Sequence, residues 1–327
     1  MLPARPFRLS HWALLGGLLW VVSTAACSKE KVAVGLPTLE NCGGGVALGA
    51  DPQRVVAMNQ SAAEVLIALG LGERIVATAW QDSESDPGLA DAYARIPTRW
   101  RGYPSPVQFA SVEPDLAYAT FESAFNHDLA RARSTLAPFG IQIYLSPWAC
   151  QDPVPPAELT FDPIERELRE VATIFGIEER GAMLAASLRQ RLDAVRASSS
   201  ARPGPPPSVV WYVSGVEQPV VGAGQGVLQL ATQVAGARNP FEAGRGSYAQ
   251  QSWSQLAAAD PDWIGLVDQV QLSAVSKRAL LSGRPETASL RSVREGRFFV
   301  VPFSHTLPGV RVADTAETLA ATLDRGP

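Results

Sequence analysis

The sequence Gln108-Phe-Ala-Ser-Val-Glu-Pro-Asp-Leu-Ala-Tyr118 returns in nearly the same form as Gln255-Leu-Ala-Ala-Ala-Asp-Pro-Asp-Trp-Ile-Gly265. Each copy predicts a short helix, a turn and then a buried strand, because Pro114 and Pro261 cannot continue a helix. The two copies are offset by 147 residues, which is far longer than the period of a solenoid repeat. The repeat therefore indicates two similar lobes.

The segment before the first copy predicts a strand, a helix and a second strand. Arg54-Val-Val-Ala-Met58 and Arg74-Ile-Val-Ala-Thr-Ala-Trp80 are apolar runs of strand length. Between them, a short helix is expected after Ser61, with Gly70 and Gly72 as its stop signals. This order and spacing predict a βαβ unit and a mostly parallel sheet.

Two helices are predicted between the copies, over 163–175 and 178–197, where Glu, Arg, Leu and Ala are frequent. The second helix carries an apolar stripe that we expect to be buried against a lobe. The stripe consists of Met183, Leu184, Leu188, Leu192 and Val195. A proline-rich loop over 198–208 then leads into Val209-Val-Trp-Tyr-Val213, the first predicted strand of the second lobe.

Composition limits the class of protein. The chain has 327 residues, of which 46% are hydrophobic and 18% charged, so it can form a sizeable core in two domains or one bilobed unit. A net charge of −4 argues against nucleic acid as a partner, because phosphate neutralisation needs a concentrated basic face. With three His and three Cys, a structural zinc cluster is hard to build.

The first 26 residues predict export. Arg5 and Arg8 precede an apolar run from Trp12 to Val22, which fits a secretory signal core and is short for a membrane span. Ser23-Thr-Ala-Ala26 in front of Cys27 resembles the lipobox of bacterial lipoproteins, with threonine where most boxes have an aliphatic residue. The resemblance implies that Cys27 is acylated and anchors the mature chain to a lipid membrane, facing the periplasm or the cell exterior. The alternative is an uncleaved N-terminal anchor.

Acylation of Cys27 leaves Cys42 and Cys150, and two thiols in an oxidising compartment most often pair. A bridge closing a loop of roughly a hundred residues contributes ~4–5 kcal/mol in the chain-entropy model. Two unpaired thiols are the alternative. Residues 27–50 lack periodicity and predict a tether, followed by an N-terminal lobe over 51–160, a helical segment over 161–200 and a C-terminal lobe over 201–327.

The order of these elements, the paired Glu-Pro-Asp and Asp-Pro-Asp turns and the long helix between the lobes resemble the periplasmic substrate-binding proteins of ABC transporters. The resemblance is to the class that binds iron-siderophores and cobalamin, and it extends from about Arg54 to Leu323. Leu159-Thr-Phe-Asp162, Val221-Gly-Ala-Gly-Gln-Gly226 and Phe299-Val-Val-Pro-Phe303 are most similar to a branch proposed to import a deazaflavin-cofactor precursor.

The resemblance implies an α/β fold class with two similar lobes, mostly parallel central sheets, a long rigid helix between them and a ligand cleft. It also implies a permease and its ATPase as partners, a small-molecule ligand and no cofactor.

Open α/β sheets usually bind ligands in the loops that follow their strands. Aromatic residues in or near these loops suit a large planar or macrocyclic ligand. They are Trp80, Phe121, Phe125, Trp148, Trp211, Tyr212, Trp253 and Phe303. Core positions are the alternative for several of them, above all Trp211 and Phe303.

Three arginines are candidates for pairing with carboxylates or phosphates of a ligand: Arg101, Arg245 and Arg311. Ordinary surface positions are the alternative for each. Together with the aromatic residues, they favour a large, flat, anionic ligand such as a ferric siderophore, a corrinoid or a deazaflavin precursor.

His127 and His305 are the candidate metal ligands. Metal-binding proteins of a neighbouring class use several histidines with a carboxylate, and processing removes His11, so direct capture of a metal ion is not expected. A haem or ferric chelate needs no more than one histidine. The simpler interpretation is two polar loop residues.

The resemblance further implies one acidic residue in each lobe for docking on the permease. Glu64 matches the first position, with a solvated helix residue as the alternative. In the second lobe, Arg238 stands where the acid is expected, and the nearby Glu242 is the substitute.

No enzymatic activity is expected. Gly222-Ala-Gly-Gln-Gly226 is followed by Val227, where a dinucleotide-binding fingerprint has its last glycine. The sequence has no Gly-x-Ser-x-Gly elbow, P-loop or His-Glu-x-x-His motif. The alternatives to a transport function are a secreted lipoprotein sensor or structural subunit that reuses the fold, and a metal-ion or haem-binding protein.

Overall fold

The computed structural model describes residues 36–81, 83, 88–150 and 160–326. The predicted signal peptide, Cys27 and the first part of the predicted tether lie outside these residues. Among the helices of the described residues, none is both long enough and apolar enough to cross a membrane.

The described chain begins with an antiparallel hairpin of β1 (Thr38–Asn41) and β2 (Gly44–Ala47). The tether prediction does not hold for these ten residues, because distant contacts order them. The Asn41 side chain is buried, and its Nδ2 donates to the Leu145 carbonyl over 2.8 Å. A local pattern cannot show such a partner.

Five short strands form the sheet of the N-terminal lobe, all parallel. They are β3 (Val55–Ala57), β4 (Ile75–Ala79), β5 (Thr98–Trp100), β6 (Leu116–Ala119) and β7 (Gln142–Leu145). The spatial order is β5-β4-β3-β6-β7. The lobe's helices are α1 (Gln60–Ala68), α2 (Ala90–Ala94), α3 (Pro106–Ser111) and α4 (Leu129–Leu136). The predicted βαβ unit is β3, α1 and β4.

Two helices connect the lobes: α5 (Asp162–Ile174) and α6 (Glu178–Ser200). Ion pairs fix α6 on both sides. Arg189 pairs with Asp162 and Glu165 of α5. Two residues later, Arg191 pairs with Asp314 and Glu317 of the last helix of the chain.

The C-terminal lobe has a mixed sheet. Its strands are β8 (Val209–Ser214), β9 (Val220–Gly222), β10 (Tyr248–Gln250), β11 (Trp263–Asp268) and β12 (Phe298–Pro302). In the order β10-β9-β8-β11-β12, the last three strands are parallel and the pairs β8–β9 and β9–β10 antiparallel. The helices are α7 (Val227–Val234), α8 (Trp253–Ala259), α9 (Ala274–Gly283), α10 (Pro285–Ala288), α11 (Arg291–Arg294) and α12 (Val312–Asp324).

The repeated segments form the same unit in both lobes: α3 with β6, and α8 with β11. Both helices begin with a capping box, Ser105 with Gln108 and Ser252 with Gln255. In each box the serine hydroxyl accepts from the glutamine N–H, and the glutamine side chain accepts from the serine N–H, so two backbone donors are satisfied.

One hydrophobic core continues from the N-terminal sheet through α5 and α6 into the C-terminal sheet. Leu188, Leu192 and Val195 of the predicted stripe belong to it. Met183 does not, because its side chain points into solvent and is 66% exposed. The long connecting helix is thus part of both lobes' packing.

Candidate functional site

A cavity of about 520 Å³ lies between the lobes, and both lobes supply its walls. This volume is typical of sites that take a drug-sized molecule. From the N-terminal lobe it is lined by Thr120 and Phe121, which directly follow β6, and by residues 147–150, which follow β7. The carboxyl ends of parallel strands meet at this edge, where open α/β sheets bind ligands.

The segment after β7 brings Trp148 to the cavity. A 3₁₀ turn, Pro147–Ala149, carries the tryptophan, and Cys150 follows it. Cys150 is bonded to Cys42, with the two Cα atoms 5.2 Å apart. The predicted disulfide is confirmed, and one of its cysteines lines the cavity itself.

The C-terminal lobe contributes neutral polar groups and one aromatic ring. Gln225, Ser247 and Thr306 line the cavity together with Tyr248. The Tyr248 hydroxyl and Thr306 Oγ1 are 3.0 Å apart, and Thr306 Oγ1 donates to the Phe303 carbonyl over 2.8 Å. These hydrogen bonds hold the Tyr248 ring on the wall.

The glycine-rich loop before α7 has a packing role. A side chain at Gly224 would place its Cβ 1.9 Å from the Glu242 carbonyl oxygen. Gly226 has a φ of +87°, and a Cβ there would lie 2.6 Å from Ser247 Oγ. The glycines thus let two loops of the C-terminal wall approach closely, which explains the motif without a dinucleotide.

The described lining carries no charged side chain. Arg101 and Arg245 are exposed and do not line the cavity. Arg311 binds Glu64 and Asp314 instead of facing the cavity. The internal residues outside the description, 82, 84–87 and 151–159, contain neither Lys nor Arg. The expected arginine contacts to an anionic ligand are therefore not supported.

Of the eight predicted aromatic residues, Phe121 and Trp148 line the cavity. Four others are buried in the cores of the lobes, and Phe303 packs partly buried against the larger core. The four are Phe125, Trp211, Tyr212 and Trp253. For these four the ligand-contact prediction is corrected by their packing.

Hydrogen bonds explain why the polar atoms of three core rings tolerate burial. Trp211 Nε1 donates to Thr232 Oγ1 over 2.9 Å, and the Tyr212 hydroxyl donates to the Gly215 carbonyl over 2.6 Å. Trp253 Nε1 donates to the Glu217 carbonyl over 3.0 Å. Each ring therefore buries its apolar body and still satisfies its polar atom.

Trp80 follows β4 and is 38% exposed. Its ring packs edge-to-face on Tyr103, with the centroids 5.7 Å apart. It lies outside the cavity lining. The cavity opens at the ends of β6 and β7, on the other side of the sheet's central strand from β4.

The two histidines that the structure describes lie apart from the cavity. His127 is exposed, and neither His127 nor His305 lines the cavity. Within the ranges that the structure describes, no group of three or more His, Cys, Asp or Glu side chains is placed to hold a metal ion.

The first predicted docking acid is an inter-lobe contact. Glu64 is 1% exposed, and its Oε2 lies 3.1 Å from Nε of Arg311 in the other lobe. Burial of Glu64 therefore contradicts its prediction as a docking residue on the surface. A second contact joins the lobes at the first turn of α1, where Ser61 Oγ donates to the Pro308 carbonyl. We call Ser61, Glu64, Pro308 and Arg311 the inter-lobe latch. Glu242 is exposed.

A buried carboxylate supports the N-terminal wall from behind. Glu167 of α5 is fully buried, and it accepts hydrogen bonds from the Tyr118 hydroxyl and, over 2.8 Å, from Ser146 Oγ. Burial raises its pKa to about 7, although the hydrogen bonds from Tyr118 and Ser146 act in the opposite direction. Ser146 is the residue immediately before the turn that carries Trp148.

Tyr248 and the neutral lining residues were not among the predicted site residues. Tyr248 starts a three-residue strand, and no flanking pattern in the sequence distinguishes it from a core tyrosine. The sequence did offer a loop signal, because Tyr248 directly follows Gly-Arg-Gly-Ser247, and loops beside strands are where binding residues are frequent.

Two α/β lobes, a helical connection and a cavity walled by both lobes define a bilobed binding protein. A family model described as periplasmic binding protein matches residues 55–304, and the chain belongs to this family. Membership implies an exported, periplasmic protein that binds a substrate.

Solved structures share the fold. A periplasmic binding protein from Veillonella parvula has a TM-score of 0.75 and 23% identity, covering 88% of this chain and 97% of its own. A Fe3+-hydroxamate transport system protein from Saccharomonospora viridis has a TM-score of 0.71 and 21% identity, covering 89% and 99%. A periplasmic heme binding protein from Pseudomonas aeruginosa has a TM-score of 0.66 and 21% identity, covering 84% and 94%. Among curated proteins, no sequence matches this chain.

Proposed function

We propose that this chain is the lipid-anchored substrate-binding component of an ABC importer, which captures a large, partly planar ligand and delivers it to a permease and its ATPase. Family membership supports a substrate-binding role, and the lipobox at Cys27 supports the anchor. The observation that carries the proposal is the cavity between the lobes, with Phe121 and Trp148 on one wall and Tyr248 on the other.

The lining favours a ligand with little negative charge at its buried surface. Aromatic rings on both walls offer flat apolar contact, and Thr120, Gln225 and Ser247 offer neutral hydrogen-bonding groups. A buried carboxylate or phosphate needs a cationic partner, which the described lining lacks. Within the classes suggested by the sequence, this favours a hydroxamate chelate without negative charge, a corrinoid or a hydroxyl-bearing deazaflavin precursor over a polyanionic siderophore.

Two other functions remain as outcomes of the tests. A secreted sensor or structural subunit would bind a ligand without a permease or show no ligand at all, and a haem-binding protein would select haemin. With Glu64 buried, Glu242 is the remaining proposed docking acid, and it is exposed.

The test is a fluorescence titration with ferrioxamine B, cyanocobalamin, an 8-hydroxy-5-deazaflavin and haemin as probes. Trp148→Ala should weaken the binding of the accepted probe by ~1–3 kcal/mol, because a large apolar contact is lost. The matched variant Trp80→Ala should bind as the wild type does, because Trp80 lies outside the cavity lining. Equal losses in both variants, or no probe bound and no ligand co-purified by native mass spectrometry, would contradict the proposal.

The anchor has its own test. We expect metabolic labelling with a fatty acid to mark the wild type and to be lost in Cys27→Ser, since acylation requires that thiol. Protein that is unlabelled in the wild type would overturn the lipoprotein part of the proposal.

A further inference from the structure

The short segment that carries Trp148 is fixed at both ends by different parts of the chain. At its first residue, Ser146 Oγ donates to Oε2 of the buried Glu167 over 2.8 Å. At its last residue, Cys150 is bonded to Cys42 of the N-terminal hairpin. Between these two points stand Pro147, Trp148 and Ala149, all of which line the cavity.

The hairpin end of this connection is itself held firmly. The Asn41 side-chain amide forms two hydrogen bonds with the backbone of Leu145: it accepts from the N–H over 2.9 Å and donates to the carbonyl over 2.8 Å. Arg133 of α4 donates to the Cys42 carbonyl over 2.9 Å and to Asn41 Oδ1 over 2.8 Å. Cys42 is therefore held on the N-terminal lobe by hydrogen bonds that do not depend on the disulfide.

The hairpin also lies along β7, which ends the sheet order of the N-terminal lobe. The Ala47 N–H donates to Gln142 Oε1 over 2.6 Å, so β2 contacts the start of β7 while Asn41 contacts its end. An edge strand is commonly protected by a neighbouring element. Here the neighbouring element is the N-terminal hairpin, and its turn is also joined to the cavity wall by the Cys42–Cys150 disulfide.

We infer that the Cys42–Cys150 disulfide and Asn41 are positioning elements of the ligand site, which hold Trp148 in its binding orientation before ligand arrives. This rests on the proposed function, because it assigns Trp148 a ligand contact. An aromatic side chain on a loop loses rotamer and backbone freedom when it binds, and ordering it beforehand removes that cost. The N-terminal hairpin is in this way part of the binding site, although none of its residues lines the cavity within the described chain.

The first arm of the experiment needs no ligand. The full-length mature protein is labelled with 5-fluorotryptophan, and the Trp148 resonance is assigned with Trp148→Phe. In Cys42→Ser/Cys150→Ser, and in the wild type reduced with a phosphine, the Trp148 fluorine resonance should move towards that of free 5-fluorotryptophan. The resonance of Trp211, which is fully buried in the other lobe, should stay in place.

A matched control removes a hairpin contact that is remote from the segment. Gln142→Ala loses the bond to Ala47 but keeps the disulfide and Asn41, so its Trp148 resonance should match the wild type. An unchanged Trp148 resonance after reduction would overturn the inference. Joint movement of the Trp148 and Trp211 resonances would overturn it as well, because the disulfide would then support the whole fold and not the segment.

The second arm measures affinity for the probe that the oxidised protein accepts among ferrioxamine B, cyanocobalamin and the deazaflavin. Reduction should weaken binding by about two- to tenfold, because the Trp148 side chain would then lose its freedom when the ligand binds and not beforehand. A moved Trp148 resonance with unchanged affinity would overturn the positioning role. If the oxidised protein accepts none of the probes and carries no co-purified ligand, the proposed function fails, while the ligand-free arm still decides whether the disulfide positions Trp148.

Discussion

Glu167 is a fully buried acid that accepts a hydrogen bond from Ser146, the residue before the turn on the N-terminal wall of the cavity. Its pKa of about 7 follows mainly from burial, which penalises the charged form. The acidic and basic groups facing it are the Tyr118 and Tyr144 hydroxyls and Glu170, with Arg166 beyond Tyr144. Burial also raises the pKa of both tyrosines well above the usual value, so neither tyrosine titrates near neutral pH, whereas Glu167 does.

A pH dependence of stability follows. A glutamate in the unfolded chain has a pKa of about 4.3, so between that pH and about 7 the folded state keeps a proton that the unfolded state has released. The free energy of unfolding should therefore fall as pH rises across this window, by about 3 kcal/mol from this group. Urea unfolding at pH 5 and pH 8 measures the difference.

The variant Glu167→Gln supplies the comparison, because an amide keeps the shape and hydrogen-bonding reach of the acid without titrating. Its difference in stability between pH 5 and pH 8 should be smaller than that of the wild type. The same difference in both proteins would show that Glu167 is charged at both pH values.

Single site residues were predictable where position along a strand decides exposure. Phe121 comes just after the strand predicted by the first copy of the repeat, Trp148 was expected in a loop that follows a strand, and both line the cavity. Trp211 and Tyr212 lie within β8, whose two faces are both covered, so they point into cores on opposite sides of one sheet. Arg311 was not predictable as a partner of Glu64, because the two residues are 247 positions apart.

At the level of elements, sequence patterns correctly predicted the helices and strands that are formed by interactions between residues close together in the chain. The repeated helix–turn–strand segments, the βαβ unit and both connecting helices are present. The capping boxes at Ser105 and Ser252 show why the repeat holds: the same serine and glutamine begin both helices.

The elements that sequence reasoning missed depend on distant partners. The hairpin at 38–47 is ordered by Leu145, Gln142 and Arg133, all about a hundred residues away. Strand β9 has three residues and is antiparallel to β8, too short for a period-two pattern to show.

On the scale of the whole molecule, the inter-lobe latch can be tested directly by removing one of its charges. Arg311→Met leaves the buried Glu64 carboxylate without its guanidinium partner, which costs about 3–5 kcal/mol in comparable pairs. We expect a lower free energy of unfolding in urea, or an increased radius of gyration in solution scattering if the lobes separate to hydrate the acid.

The double variant Glu64→Leu/Arg311→Met is the control, because replacing both charges with apolar groups of similar size is often neutral or stabilising. It should recover most of the stability and the compact radius. A single variant that matches the wild type in both measurements would show that the buried Glu64 does not need Arg311 as its partner.

The latch has a consequence for how the protein takes up and releases its cargo. When the lobes part, Glu64 and Arg311 both return to water, and the hydration regained offsets much of the attraction lost. Opening would then be opposed by less than the attraction between the two side chains alone, which would leave the contacts of the cargo a larger share in deciding between an open and a closed state. A molecule that touches both Trp148 and Tyr248 shifts the population towards closure, whereas one that touches a single wall binds both states equally and shifts nothing. The protein would then select its cargo by whether the molecule is long enough to reach both walls, as well as by its chemistry.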